Sequence, residues 1–174
     1  MSYTLIGQAQ SRAMRVLWML EETGADYDHI PALPQSEGIL AANPTGKIPA
    51  LIVDDTPITD SVAICQFLAD RHAVCTFEAG TVERARQDAH TQFIAEEIDG
   101  ALWLAAKHRF VLPDGLKVPA VKETARAEFD TAMVRLAARL GDGPYLMGDT
   151  FTVPDIIGVH CIGWAKAARF EVRE

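Results

Sequence analysis

Absences bound this sequence before any motif does. Only three cysteines, Cys65, Cys75 and Cys161, stand among 174 residues, and none has CxxC or metal-ligand spacing. That excludes a cysteine-built metal centre and leaves each as a small buried hydrophobe. No apolar run approaches the roughly 20 residues of a membrane-spanning helix. No charged leader with a small-residue cleavage site precedes Tyr3, so a cytoplasmic location and no membrane partner are expected. Basic residues are outnumbered, 16 Lys and Arg against 24 Asp and Glu, for a net charge of −8. Nucleic-acid binding demands a basic face and is excluded as an expectation. Metal clusters, a Ser-His-Asp order and a phosphate-cradling glycine run are all missing.

What remains is ordinary for a globular protein, 49% apolar and 23% charged, and long enough for one large or two small domains. Tyr3 to Gly7 reads as a first strand that stops at glycine. Ala13, Val16, Leu17 and Leu20 recur at helical spacing from Ser11, and Gly24 is a natural stop. Tyr27–Ile30 reads as a second strand and Gln35–Ala42 as a short irregular helix. Leu51–Val53 is a third strand, Asp54-Asp55 a turn, and Pro57-Ile58 a fourth strand whose proline marks a sheet edge. Ile64, Cys65 and Leu68 line a helix running to about Arg71. Strand, helix, strand, helix, strand, strand, helix predicts a mixed four-stranded sheet with helices on its faces, the thioredoxin-like layout. The place of a redox CxxC reads Gln10-Ser11-Arg12-Ala13, which excludes dithiol chemistry there.

Beyond a linker from His72 to Val82 the strand pattern vanishes. Ala85, Ala89, Ile94, Ile98, Ala101, Leu102 and Ala105 predict a long helix with a charged outer face. His108–Pro119 reads as a loop. Ala125, Phe129, Ala132, Leu136 and Leu140 mark another helix, ended by Gly141. The last helix opens on Thr152 with Asp155 three residues on, a capping box with Asp in place of Glu, and Pro154 in the first turn. Apolar almost all round, that helix is expected to be buried, and Asp155 is a folding residue. The expected organisation is an α/β thioredoxin-like domain over 1–75 followed by an all-α domain over 83–174.

The segment Asn43-Pro44-Thr45-Gly46-Lys47-Ile48-Pro49 joins two turn dipeptides to a proline at the head of an apolar strand. A cis Ile48–Pro49 bond would turn the backbone of Ile48 outward, where an extended peptide can dock as an extra strand. Shortly after, Asp60-Ser61 opens a helix whose first N–H groups and hydroxyl suit a carboxylate. Asn-Pro-x-Gly-Lys-Ile-Pro followed by Asp-Ser resembles the glutathione site of soluble glutathione transferases, and the likeness runs from Tyr3 to about Trp164. Phe151-Thr152-x-x-Asp155 resembles the buried capping motif of the same family. The family normally adds another helix or so after this one, so either the chain is shortened against the family pattern or its end lies beyond Glu174.

The resemblance implies glutathione as co-substrate. Ile48 then pairs with the cysteinyl backbone, presented by Pro49; Asp60 and Ser61 hold the γ-glutamyl end; Lys47 reaches for the glycyl carboxylate. It also implies a homodimer and detoxification chemistry of a bacterial type with serine as thiol activator. A thiol with a pKa near 8.5 is mostly protonated at neutral pH, and a hydroxyl donor at a helix N-terminus favours the thiolate. Ser11 is the candidate for that role. A plain helix cap is its other reading, and Gln10 or a backbone N–H then activates the thiol. A small apolar electrophile is expected near Trp103, His108 and Phe110. Arg15 reads as a buried structural residue. The alternatives are a non-catalytic glutathione-binding or protein-interaction module on the same fold, and a glutathione-dependent isomerase, dehalogenase or peroxidase.

Overall fold

A computed structural model of the chain describes residues 2–172. Met1 and Glu174, the outer ends of the two expected domains, lie outside the described residues. Two compact units divide the chain, Met1–Arg84 and Ala85–Glu174.

The first unit is a thioredoxin-like α/β fold. Its strands are β1 (Tyr3–Ile6), β2 (Asp28–Ile30), β3 (Ala50–Val53) and β4 (Thr56–Thr59), and its helices α1 (Ala13–Thr23), α2 (Glu37–Ala42) and α3 (Ser61–His72). The sheet order is β2-β1-β3-β4. β1 and β2 are parallel because α1 crosses between them; β3 runs antiparallel to both β1 and β4. Pro57 sits on the edge strand β4, where its missing N–H leaves no gap in a central ladder. Leu5, Leu51, Val16, Leu20, Ile64 and Leu68 have no exposed surface. They are the inward positions of period 2 in the strands and 3.6 in α1 and α3. Gly24 ends α1 at φ 65°, a left-handed conformation that glycine adopts without a Cβ penalty.

The second unit is helical. It contains most of α4 (Val82–Phe93), α5 (Gly100–Ala106), α6 (Val121–Leu140) and α7 (Val153–Ala167). The expected long helix is present but not uniform. Ile94–Asp99 and Lys107–Val111 are π-helical, with Gly100 N–H donating to the Ala95 carbonyl and Leu112 N–H to that of Lys107. Bonds five residues apart are a variation on the helix that a fixed 3.6 period does not signal.

Three expectations are corrected here. Ala85 and Ala89 are exposed, and Gln87 and Thr91 are buried in their stead. The buried series 87, 91, 94, 98, 102, 105 is a regular helical stripe, but two of its members are polar and alanine is too weakly apolar to set a face. His108–Val111 continues the helix, so the loop begins only at Leu112. The last helix is buried along most of its length, yet Val159 is 51% exposed, so its outer side is not wholly covered. No helix among the described residues is long and apolar enough to cross a membrane.

α7 starts as its sequence implies. Asp155 Oδ2 accepts from the Thr152 N–H at 2.8 Å and its hydroxyl at 3.0 Å, while Oδ1 accepts from Leu146 N–H at 2.9 Å. One carboxylate thus closes a helix end and ties the preceding turn to it, all in a buried setting.

Candidate functional site

Asn43 shapes the turn that leads to Pro49. Its Oδ1 accepts from the Thr45 N–H and hydroxyl, at 3.1 and 2.8 Å, and its Nδ2 donates to the Lys47 carbonyl at 2.8 Å. The side chain mimics a strand of backbone inside the turn. Gly46, at φ 66°, closes the turn by donating to the Asn43 carbonyl. The Ile48–Pro49 bond is cis. Pro49 is buried, Ile48 half-buried and Lys47 exposed. The Ile48 side chain packs on a cluster of Ile6, Ile39 and Ala50. Registered pairing in β3 begins at Ala50, so the backbone of Ile48 lies past the end of the ladder, the geometry an added strand requires.

Gly7 brings a second element to this edge. A Cβ built on it would lie 3.1 Å from Ala13 Cβ, 3.2 Å from Ile48 Cβ and 3.4 Å from Pro49 Cα, and its φ is +147°. Only glycine lets the end of β1 pass this close to both Pro49 and the start of α1. His29 Nε2 donates to the Gly7 carbonyl at 2.7 Å and locks the strand end.

The loop from Gly7 to α1 carries Ser11. Its hydroxyl donates to the Gln8 carbonyl at 2.7 Å and accepts from Ala13 N–H at 3.1 Å. These are the bonds of a residue that caps a helix start. A hydroxyl has one proton, so donation to a sulfur requires rotation away from Gln8. Gln10 is exposed beside it.

The third element is the start of α3. Asp60 is exposed, takes φ 72°, and accepts from Val62 N–H at 2.9 Å, so it is an N-cap. Ser61 is buried, and Arg15 Nη1 donates to its Oγ at 3.3 Å. Arg15 itself is only 1% exposed. One turn along, burial pushes the Cys65 thiol up to about 12, against a lowering pull from Arg15 and a further push from Asp60. Cys65 is therefore a neutral thiol at physiological pH. The helix end, a desolvated guanidinium and a buried hydroxyl together favour an anion at Ser61.

Lys47, Ile48, Pro49, Ser11, Asp60 and Ser61 therefore lie in one unit, on three elements joined through Gly7 and Arg15. Trp103, His108 and Phe110 lie in the second unit, on α5 and the π-helical stretch after it. Trp103 is half-buried and Phe110 is 66% exposed. His108 Nδ1 accepts from Val118 N–H at 3.1 Å and braces the loop that follows. Among the described residues no group of three or more His, Cys, Asp or Glu could hold a metal ion. Sequence reasoning named Asn43 and Gly7 only as turn and strand-end signals and did not foresee their part in shaping this edge; Arg15, read as a buried structural residue, is buried and bonded to Ser61.

Comparison with known proteins bears on the same region. Residues 11–71 match the family model described as glutathione S-transferase, N-terminal domain. The chain is 26% identical over 162 residues to the glutathione S-transferase GstA of Escherichia coli O157:H7, covering 88% of this chain and 77% of that protein. It superimposes with a TM-score of 0.83 on the glutathione transferase URE2P6 of Phanerochaete chrysosporium, solved in complex with oxidized glutathione. That match is 26% identical and covers 98% of this chain and 82% of the other. It is also 25% identical over 161 residues to elongation factor 1-gamma 3 of Oryza sativa subsp. japonica, covering 87% of this chain but 37% of that protein.

Proposed function

We infer that this chain, similar over most of its length to glutathione S-transferases, is a glutathione transferase with glutathione as its co-substrate. One convergence carries the reading: an unladdered backbone at Ile48, a helix end at Ser61 with a cation behind it, and a second helix start at Ala13 meet in one unit. The family match over 11–71 spans all three.

Each part has a chemical task. The cysteinyl backbone pairs with Ile48 as a short added strand, with Pro49 presenting that edge. The γ-glutamyl carboxylate meets Ser61, and Asp60 faces the amine. Lys47, exposed at the turn, reaches the glycyl carboxylate. The thiol then lies at the α1 start, where N–H groups and the Ser11 hydroxyl favour the thiolate. Lowering its pKa by about two units corresponds to about 2.7 kcal/mol. The thiolate attacks an electrophilic carbon, a carbon–sulfur bond forms, the leaving group departs with its electron pair, and the thiol proton passes to solvent. Trp103, His108 and Phe110 contribute to the electrophile's surroundings. The protein works as a cytoplasmic homodimer of a bacterial type with serine as activator, in detoxification.

The test is Ser11→Ala. Thiol transfer falls tenfold or more, on the scale of a single lost donor, and the ultraviolet titration of bound thiolate moves upward. Unchanged activity reassigns the role to Gln10 or a backbone N–H. A second reading has its own support: the Ser11 hydroxyl is bonded to Gln8, and elongation factor 1-gamma 3 is also similar. That reading is a non-catalytic glutathione-binding or protein-interaction module. Glutathione binding without a shifted thiol pKa selects it.

A further inference from the structure

The carbonyls of Thr45, Gly46 and Lys47 lead into the docking edge at Ile48, and each accepts a hydrogen bond. Asn43 Nδ2 holds the Lys47 carbonyl from inside the turn. The other two are held from outside by one residue, Gln35. Its N–H donates to the Gly46 carbonyl at 2.9 Å, and its carboxamide Nε2 donates to the Thr45 carbonyl at 2.9 Å. The peptide planes that approach Ile48 are therefore set from both sides, and Gln35 supplies the outer side by itself.

Gln35 adopts an unfavourable backbone conformation to do this. Its φ is 64°, in the left-handed region that a residue with a Cβ seldom occupies. It is also exposed, so burial of its side chain does not account for the conformation. The turn does, because the N–H and the carboxamide both face it. Gly46 makes room, since a Cβ built there would fall onto the Gln35 carboxamide. Just beyond Gln35, α2 buries Ile39 completely, in the cluster of Ile6 and Ala50 on which Ile48 also packs. The arm from Gln35 through α2 is thus fixed to the core at one end and to the turn at the other.

We propose that Gln35 is a positioning residue for glutathione: it straps the 43–49 turn from outside, so that the backbone of Ile48 is set for strand pairing before the peptide arrives. An edge that is already rigid gives up less freedom on binding, and the peptide is held more tightly. The inference rests on the glutathione reading. It goes beyond that reading because Gln35 acts through the turn and not by a contact of its own with the peptide.

The experiment measures the binding of glutathione and of γ-glutamylcysteine by calorimetry in wild type, Gln35→Met and Gln35→Gly, with thermal unfolding of each. Methionine keeps the length of glutamine and loses the donor. Glycine loses the side chain, suits the left-handed φ and retains an N–H for the Gly46 carbonyl. In both variants the glutathione Kd should rise about threefold to tenfold, the range of one lost hydrogen bond. γ-Glutamylcysteine lacks the glycyl end but pairs with Ile48 in the same way, so its Kd should rise as well. A glutamine that serves folding alone would shift the unfolding temperature and leave both Kd values unchanged, and that result overturns the proposal. A loss confined to glutathione would mean direct contact with the glycyl end, and overturns it too. In both of those cases wild type still binds glutathione and the glutathione reading survives. Wild type that binds neither peptide ends both.

Discussion

α3 and α7 each begin on a hydroxyl and a carboxylate, yet the two ends are arranged in opposite ways. At α7, Asp155 accepts from the Thr152 N–H, the Thr152 hydroxyl and the Leu146 N–H, and the whole arrangement is buried. Its oxygens are committed to the protein. At α3, the carboxylate of Asp60 is exposed at the rim, the hydroxyl of Ser61 is buried, and a guanidinium lies beneath it. A helix end closed on itself contributes stability. One with an exposed carboxylate and a buried hydroxyl keeps fewer of its polar groups closed on the protein. The difference is the sign and supply of charge, since both ends use the same residue types.

Breaking the closed end should produce the largest effect on folding. Asp155→Ala strips two buried backbone donors and a hydroxyl of their acceptor, at about 1–3 kcal/mol for each group left unsatisfied. A loss of about 3–5 kcal/mol in thermal or denaturant unfolding is expected, while folded molecules keep their glutathione affinity. A loss below about 1 kcal/mol would mean that this cap is not what anchors α7.

The open end should respond the other way. Ser61→Ala should raise the glutathione Kd about tenfold, or about 1.4 kcal/mol, with a stability cost of no more than about 1.5 kcal/mol for a single long bond to a charged group. An unchanged Kd in calorimetry would remove Ser61 from the site and erase the contrast with α7.

The smallest effect concerns pH. His90, in α4, has its Nδ1 buried with no hydrogen-bond partner among the described residues, and its pKa is lowered by desolvation first and by Arg139 second, against a raising pull from Asp155. The folded state therefore resists protonation that the unfolded chain accepts near 6.5. Stability contributed by the neutral ring is present above that value and is lost as pH falls below it. His90→Phe should flatten the dependence of unfolding on pH between about 7 and 5, a change read from melting temperatures across that window. An identical slope in the variant would place the acid sensitivity elsewhere.

Much of the first unit was legible because its signals are local. Alternation marks the strands, Gly24 and Asp60 mark helix boundaries, and the turn dipeptides flank Lys47-Ile48-Pro49. The edge position of β4 followed from one proline. The Thr152–Asp155 box was equally plain, since a cap and its partner sit three residues apart. Less legible were features that depend on distant partners. Ala85 and Ala89 looked like an inward face, but Gln87 and Thr91 occupy it, because packing against a neighbour chooses the face when apolar contrast is weak. The π-helical turns left no trace in the pattern, as their bonds depend on what the helix packs against.

The amino-acid order alone determined the succession of elements, the cap of α7 and the resemblance of the Asn43–Pro49 and Asp60-Ser61 segments to a glutathione site. Those are decided within a few residues, by backbone preference and side-chain reach. Tertiary structure alone decided that Gly7 brings Pro49 to the start of α1, that the Ser11 proton rests on Gln8, and that Arg15 lies buried under Ser61, 46 residues away. Charge and proton positions belong to groups brought together by folding, and no spacing along the chain encodes which two will meet.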